Sequence, residues 1–163
     1  MCGIISESSN LMMDQCLMSD LGSDSAEGGA LHGMNSNFRL SDSNFTENRA
    51  HIGGAINVEC PDHDICEYTF THLRFNNNIA KSQGGAINYK DFRPDFMGTT
   101  WYNDNEAPYG VDIASYAIGF EITGMQNKMI SDLVSGQLFD GALGIKIVDF
   151  DEQVIVTDSM STV

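Results

Sequence analysis

The sequence predicts an all-β fold, a right-handed parallel β-helix of about four coils, from three observations. The first is a repeat: Phe45, Asn48, Ala50, Gly53, Gly54 and Ile56 recur in order as Phe75, Asn78, Ala80, Gly84, Gly85 and Ile87, and again as Tyr102, Asn105, Ala107, Gly110 and Ile113. The second is the period, 25 residues from Gly28 to Gly53, then 31 to Gly84 and 26 to Gly110. Self-similarity in that range marks stacked units that bury a shared core. The third is that no 3.6-residue apolar stripe runs through a unit built of Gly-Gly, Asn and isolated aromatics, which leaves short period-two runs and favours strands.

Taken in order, residues 1–24 carry Leu11, Met12, Met13, Leu17, Met18 and Leu21 and read as a worn first coil, with a methionine-rich partner-binding helix as the alternative. A degenerate copy of the motif then ends in Gly28-Gly29-Ala30-Leu31. After each glycine corner, Leu31, Ile56, Ile87 and Ile113 form a column expected to face inward, followed two residues on by Gly33, Val58, Tyr89 and Ser115. The residues between them, His32, Asn57, Asn88 and Ala114, are expected to face outward. Glycine supplies the positive φ or close approach of a sharp corner. Asparagine tolerates the same left-handed backbone and bonds nearby main chain, so Asn48, Asn78 and Asn105 predict a ladder up one corner. The second copy has one residue inserted before its glycines, and the third has Val111 in place of the second glycine.

The end of the chain reads differently. Ile118, Phe120 and Ile122 alternate as a strand finishing the β-helix, whose segment is 1–122, and residues 123–129 read as a linker. Residues 145–148 and 154–157 flank Asp149-Phe150-Asp151-Glu152-Gln153 as a hairpin. It is expected to open an immunoglobulin-like β-sandwich module over 130–163, with its other strands beyond Val163.

The pattern FxxN followed by GGAI, as in Phe45, Asn48 and Gly53-Gly54-Ala55-Ile56, resembles the repeat of polymorphic outer membrane proteins. It also resembles that of large surface proteins of single-celled eukaryotes with a pectin-lyase-like β-helix. Residues 105–116 resemble the closing coil of those eukaryotic proteins, and Val134-Ser135-Gly136-Gln137 through Ile147-Val148-Asp149 and Gln153 are similar to the β-sandwich module that follows there. The resemblance implies a fold and an extracellular or cell-surface location, and says little about activity, because fold alone does not carry function.

Composition narrows the partners. Eight Lys plus Arg against 23 Asp plus Glu give a formal net charge of −15, which repels a phosphate backbone and disfavours nucleic acid. No run approaches the ~18 apolar residues of a membrane-spanning helix, and the opening MCGIISESSNLMMDQ has no targeting signal. Uncapped repeat sequence near Met1 and the single hairpin before Val163 lead us to expect an interior piece of a longer chain. Its expected partners are other segments or subunits stacked on the β-helix ends.

Chemistry-bearing residues are few. Cys60 and Cys66 bracket Pro61-Asp62-His63-Asp64-Ile65 where the longest coil has its extra length, and either close a loop disulfide, remain thiols or, with His63, contribute to a metal site; Cys2 and Cys16 have no evident local partners. The histidines His32, His51, His63 and His72 lack the paired spacing of a zinc helix and read as turn or strand residues. Asp62 with Asp64, and Asp149 with Asp151 and Glu152, are oxygen donors without the rest of a calcium loop, and read as solvated turn carboxylates. Asp91, Arg93 and Asp95 place carboxylates beside a basic group, as on the groove of pectin-lyase-like enzymes, without a second acidic pair. Asn44-Phe45-Thr46 is an N-glycosylation sequon, so a glycan is a candidate partner. No catalytic residue, metal site or cofactor is expected.

Two readings remain. The first is a non-enzymatic structural or adhesive segment of a large extracellular or cell-surface protein or filament. The second is a carbohydrate-active pectin-lyase-like enzyme or carbohydrate-binding β-helix. A groove with converging carboxylates and aromatics favours the second, and a flat polar face favours the first.

Overall fold

The computed structural model describes residues 3–62, 66–98, 100–123 and 144–156. The first coil contains β1 (Ile4–Glu7), β2 (Asn10–Asp14) and β3 (Leu17–Ser19). The second contains β4 (Leu31–Met34), β5 (Asn37–Ser41), β6 (Asn44–Thr46) and β7 (Arg49–Ile52). The third contains β8 (Ile56–Glu59), β9 (Tyr68–Thr71), β10 (Arg74–Asn76) and β11 (Ile79–Gln83). The fourth contains β12 (Ile87–Lys90), β13 (Asp95–Met97) and β14 (Trp101–Asn103), after which β15 (Ile113–Ala114) adds one more rung, and β16 (Ala117–Thr123) and β17 (Gly144–Asp149) follow.

Strands stack by coil into parallel sheets in the orders β1-β4-β8-β12-β15, β2-β5-β9-β13, β3-β6-β10-β14 and β7-β11. This is a parallel β-solenoid of about four turns. The residues from Leu11 to Leu21 belong to its first coil as strands, not to a helix.

Leu31, Ile56, Ile87 and Ile113 are Cα partners in consecutive rungs, with the first three fully buried and Ile113 half-buried at the end. Gly33, Val58 and Tyr89 form the second column. Gly33 is small for a reason, since a Cβ there would lie 2.0 Å from the Phe38 ring. Phe45, Phe75 and Tyr102 stack as a third column with ring centroids 5.1 and 5.6 Å apart. Each such aromatic pair adds about 0.5–1.5 kcal/mol beyond its area burial.

Corners are made by residues in the left-handed region. After the first strand of a coil these are Ser8, Asn35 and Asp91; after the second, Gln15, Asp42, His72 and Gly98; after the third, Asp20, Glu47, Asn77 and Asp104; after the fourth, Gly28, Gly53, Gly84 and Gly110. The expectation that the ladder asparagines themselves adopt this conformation is corrected here: the left-handed residue is the one before each of them. That turn swings the next side chain inward, and Ser36, Ser43, Leu73, Asn48, Asn78 and Asn105 are all buried. In the third coil residues 60–67 separate β8 from β9.

The two glycines of each pair do different work. Gly53 and Gly84 turn the chain at φ 63° and 66°. Gly54 and Gly85 let the next rung approach, because a Cβ on either would sit 2.0 Å from the carbonyl oxygen of Gly85 or Val111. Val111 itself is exposed, so the motif relaxes where no further glycine corner stacks on it. The residue inserted before Gly84 becomes an irregularity between Ala80 and Gln83, where β11 bulges against β7.

A second correction concerns the row between the two columns. Asn57, Asn88 and Ala114 are buried, and His32 is half-buried. Asn88 Nδ2 donates to Asn57 Oδ1 (2.7 Å), Gln83 Nε2 donates to Asn88 Oδ1 (2.8 Å), and Asn57 Nδ2 lies 3.3 Å from His32 Nδ1. The row forms a covered amide ladder rather than a wet surface.

The Asn48, Asn78 and Asn105 ladder is continuous. Asn48 Nδ2 donates to Asn78 Oδ1 (2.9 Å) and Asn78 Nδ2 to Asn105 Oδ1 (3.0 Å), while the backbone N–H groups of Asn48 and Asn78 donate to the same two oxygens (3.1 and 3.0 Å). The second hydrogen of each amide reaches a main-chain carbonyl in the column below, that of Met18, which is the Cα partner of Phe45, and then those of Phe45 and Phe75. The ladder starts at the Leu21 N–H, which donates to Asn48 Oδ1, and ends where Asn105 Nδ2 donates to Asp112 Oδ1 (2.9 Å).

Two outcomes follow. Ile87→Ala opens a cavity between rungs and is expected to cost about 2–5 kcal/mol in denaturant unfolding; a change near zero contradicts the buried column. Asn78→Ala removes the acceptor of the Asn48 N–H and of one Asn48 amide hydrogen, at about 1–3 kcal/mol for each buried group left unpaired, and takes one donor each from the Phe45 carbonyl and from Asn105 Oδ1, which keeps the backbone N–H of residue 78. It should therefore destabilise at least as much as Ile87→Ala.

Candidate functional site

Side chains of opposite character converge at the end of the stack, on the turn that follows β17. β17 pairs antiparallel with β16, and Val148 bridges back to Val154, so the expected hairpin exists as a short turn over 149–153. Its first strand is hydrogen-bonded to the strand expected to finish the β-helix. Residues 124–143 and 157–163, where the linker and most of the sandwich module were expected, lie outside the described residues, as do Cys2, His63 and Asp64.

Asp149 anchors this turn. Its side chain is completely buried, and it accepts hydrogen bonds from the Tyr109 hydroxyl, from the backbone N–H groups of Asp151 (2.9 Å) and Gln153 (2.8 Å), and from Gln153 Nε2 (3.3 Å). Asp151 accepts from the Tyr89 hydroxyl (2.7 Å) and Arg93 Nε (2.8 Å). The Phe150 N–H donates to Ser115 Oγ (3.0 Å), Gln153 Nε2 donates to the Ile113 carbonyl (3.0 Å), and the Phe150 ring meets Tyr89 edge-on. The turn is thereby latched to β12, to the Gly110 corner and to the β15 rung. A buried carboxylate needs such donors, because charge left unpaired in a dry site is costly.

Burial first, and then the hydrogen bond to a carboxylate, push both the Tyr89 and Tyr109 hydroxyls well above the ordinary tyrosine value. Both remain protonated donors over the whole neutral range. Tyr68 and Tyr102 are raised too, chiefly by burial.

Among the described residues, Asp91, Arg93 and Asp95 do not converge on one groove. Arg93 is spent on Asp151 and lies over the Phe96 ring, Asp91 accepts the Cys60 N–H at a corner, and Asp95 is exposed on β13. The expectation that Asp149 and Asp151 are solvated turn carboxylates is corrected: Asp149 is buried and Asp151 largely so. No group of three or more His, Cys, Asp or Glu converges among the described residues. Cys60 and Cys66 are bonded to each other and close the long loop, while Cys16 is a free, half-buried thiol. His51 and His72 are exposed, and the sequon residue Asn44 lies on β6. Tyr89, Tyr109, Ser115 and Gln153 escaped assignment to this site, since they lie up to 62 residues from their partners and share no spacing with them.

With the geometry in place, comparison with known proteins adds one result. Residues 72–90 match the Chlamydia polymorphic membrane protein repeat. The matched segment runs from the His72 corner through β10, Asn78, β11 and Gly84-Gly85 into β12, one full set of the motif. No curated protein matches the chain, and no solved structure does. Among the described residues, no helix is long and apolar enough to cross a membrane.

The raised tyrosines set an alkaline limit. Each hydroxyl is neutral in the folded state above the pH at which it ionises in the unfolded chain, so unfolding releases protons there and stability falls as pH rises. The stabilisation is intact below the ordinary value of 10.0 and is lost above it. Unfolding midpoints measured from pH 8 to 12 should be level with respect to these groups at first and then drop. Tyr109→Phe should start lower, because Asp149 loses a donor, and drop less steeply.

Proposed function

We propose that this chain is a rigid, non-enzymatic segment of a surface protein, structural or adhesive in role, at an extracellular or cell-surface location. The repeat match and the parallel solenoid support the surface reading. The observation that carries the non-enzymatic reading is the fate of the converging carboxylates: Asp149 and Asp151 are bonded to tyrosine, arginine, glutamine and backbone donors within the chain. The open cleft beside Trp101 has one carboxylate, Asp42, where acid–base cleavage of a glycosidic bond takes a pair. The Cys60–Cys66 disulfide fits an oxidising compartment. A net charge of −15 keeps neighbouring copies apart in solution.

An antibody to this segment should label intact, unpermeabilised source cells, and the purified protein should release no product from a panel of polysaccharides. Labelling only after permeabilisation overturns the location, and hydrolase or lyase turnover overturns the non-enzymatic role.

A further inference from the structure

We infer that Asn44 carries an N-linked glycan whose first sugars lie along the outer face of the solenoid against Arg74 and Trp101. The inference rests on the surface reading above, since only a secreted chain meets the transferase.

Thirteen asparagines occur in the sequence, and Asn44 alone begins an Asn-X-Ser/Thr triplet. The fold treats it differently from its neighbours. Asn48, Asn57, Asn78, Asn88 and Asn105 are buried in amide ladders, whereas Asn44 and Thr46 flank the inward Phe45 on β6 and so face outward. The Asn44 backbone N–H donates to the Cys16 carbonyl (2.8 Å), but its side-chain amide has no hydrogen-bond partner among the described residues. The amide is free to react.

What lies beside it fits a sugar. Asn44, Arg74 and Trp101 are Cα partners in consecutive rungs, so they form one outward row. At about 4.8 Å per rung, Trp101 stands roughly 10 Å from Asn44, a distance that the first two rings of an attached glycan cover. Trp101 is 56% exposed in a shallow cleft shared with Asp42, Asn44, His72 and Arg74. A flat indole face packs against the apolar face of a pyranose ring, and the side chains around it supply donors and acceptors for hydroxyl and acetamido groups. Arg74 has no ion-pair partner among the described residues, and so its donors are available. His72 is held over the Gly98 backbone, where a Cβ would lie 2.4 Å from its Nε2, and its Nδ1 is 3.5 Å from Asp42. Glycosyl transfer forms the bond from Asn44 Nδ2 to the anomeric carbon of the first sugar. It breaks that carbon's bond to a lipid-linked pyrophosphate, which leaves with the electron pair, while the amide loses one proton.

The chain is secreted from a glycosylating eukaryotic host, so that failure there counts against the site and not against the surface location. Intact mass and peptide mapping should place a glycan on Asn44, lost in both Asn44→Gln and Thr46→Ala. Trp101 is the sole tryptophan, so its emission reports the contact: enzymatic removal of the glycan should shift it to the red and increase its quenching by acrylamide. A bare Asn44 in the secreted protein overturns the modification. A glycan whose removal leaves Trp101 emission and quenching unchanged overturns its seat on the Arg74–Trp101 row.

Discussion

A stacked amide at one corner of every full coil is the constraint on which the solenoid depends. A β-solenoid puts backbone polar groups inside at each bend, where water cannot satisfy them. Asparagine solves this with two donors and a two-lone-pair acceptor in one short side chain. Each of Asn48 and Asn78 uses both amide hydrogens, and the carbonyl oxygen of the rung above takes one of them together with a main-chain N–H. The corner thereby ties three things together: the next coil, the aromatic column through its carbonyls, and the main chain of the turn. Leu21 shows the alternative, since it occupies the corresponding corner of the first coil and contributes only its N–H.

The other corners follow from the same geometry with different chemistry. A left-handed residue bends the chain, and in the second and third coils the residue after it drops inward to be buried. Serine does the job where a main-chain N–H needs an acceptor, as Ser43 Oγ accepts from the Cys16 N–H (3.0 Å) and Ser36 Oγ from the Ser9 N–H (3.2 Å). Leu73 does it where the partner is apolar core. Non-glycine residues in this region cost on the order of 1 kcal/mol each, and they are tolerated because the ladders and columns on either side hold them. The latch at Asp149 closes the stack on the same principle, a buried polar atom with every acceptor position supplied.

The repeat made the columns legible. Ile56 above Ile87, Phe45 above Phe75 and the asparagine ladder all occupy fixed offsets, and a fixed offset in stacked coils is a spatial neighbour. The bulge near Gln83 was visible as a one-residue insertion, although its form was not. Three features were not legible, each for a physical reason. The left-handed corners at Gln15, Asp42 and His72 have no shared residue type, because any side chain facing solvent is accepted there once the following residue is held inside. The row of Asn57 and Asn88 looked like a polar outer face, since alternation reports direction from the sheet and not what covers it; Gln83 and His32 cover it here. The latch depends on pairs such as Tyr109 with Asp149 and Tyr89 with Asp151, far apart in sequence and outside the repeat.

These features describe an acidic solenoid whose stacked asparagines are committed to its own architecture. The most direct test is amide exchange at the side chains of Asn48 and Asn78, followed by NMR in the native protein. Buried ladder amides should exchange as slowly as the backbone N–H groups of β8 and β12, and much more slowly than the half-buried Asn44. Side-chain exchange at Asn48 and Asn78 as fast as at Asn44 would contradict the ladder as the element that holds the coils together.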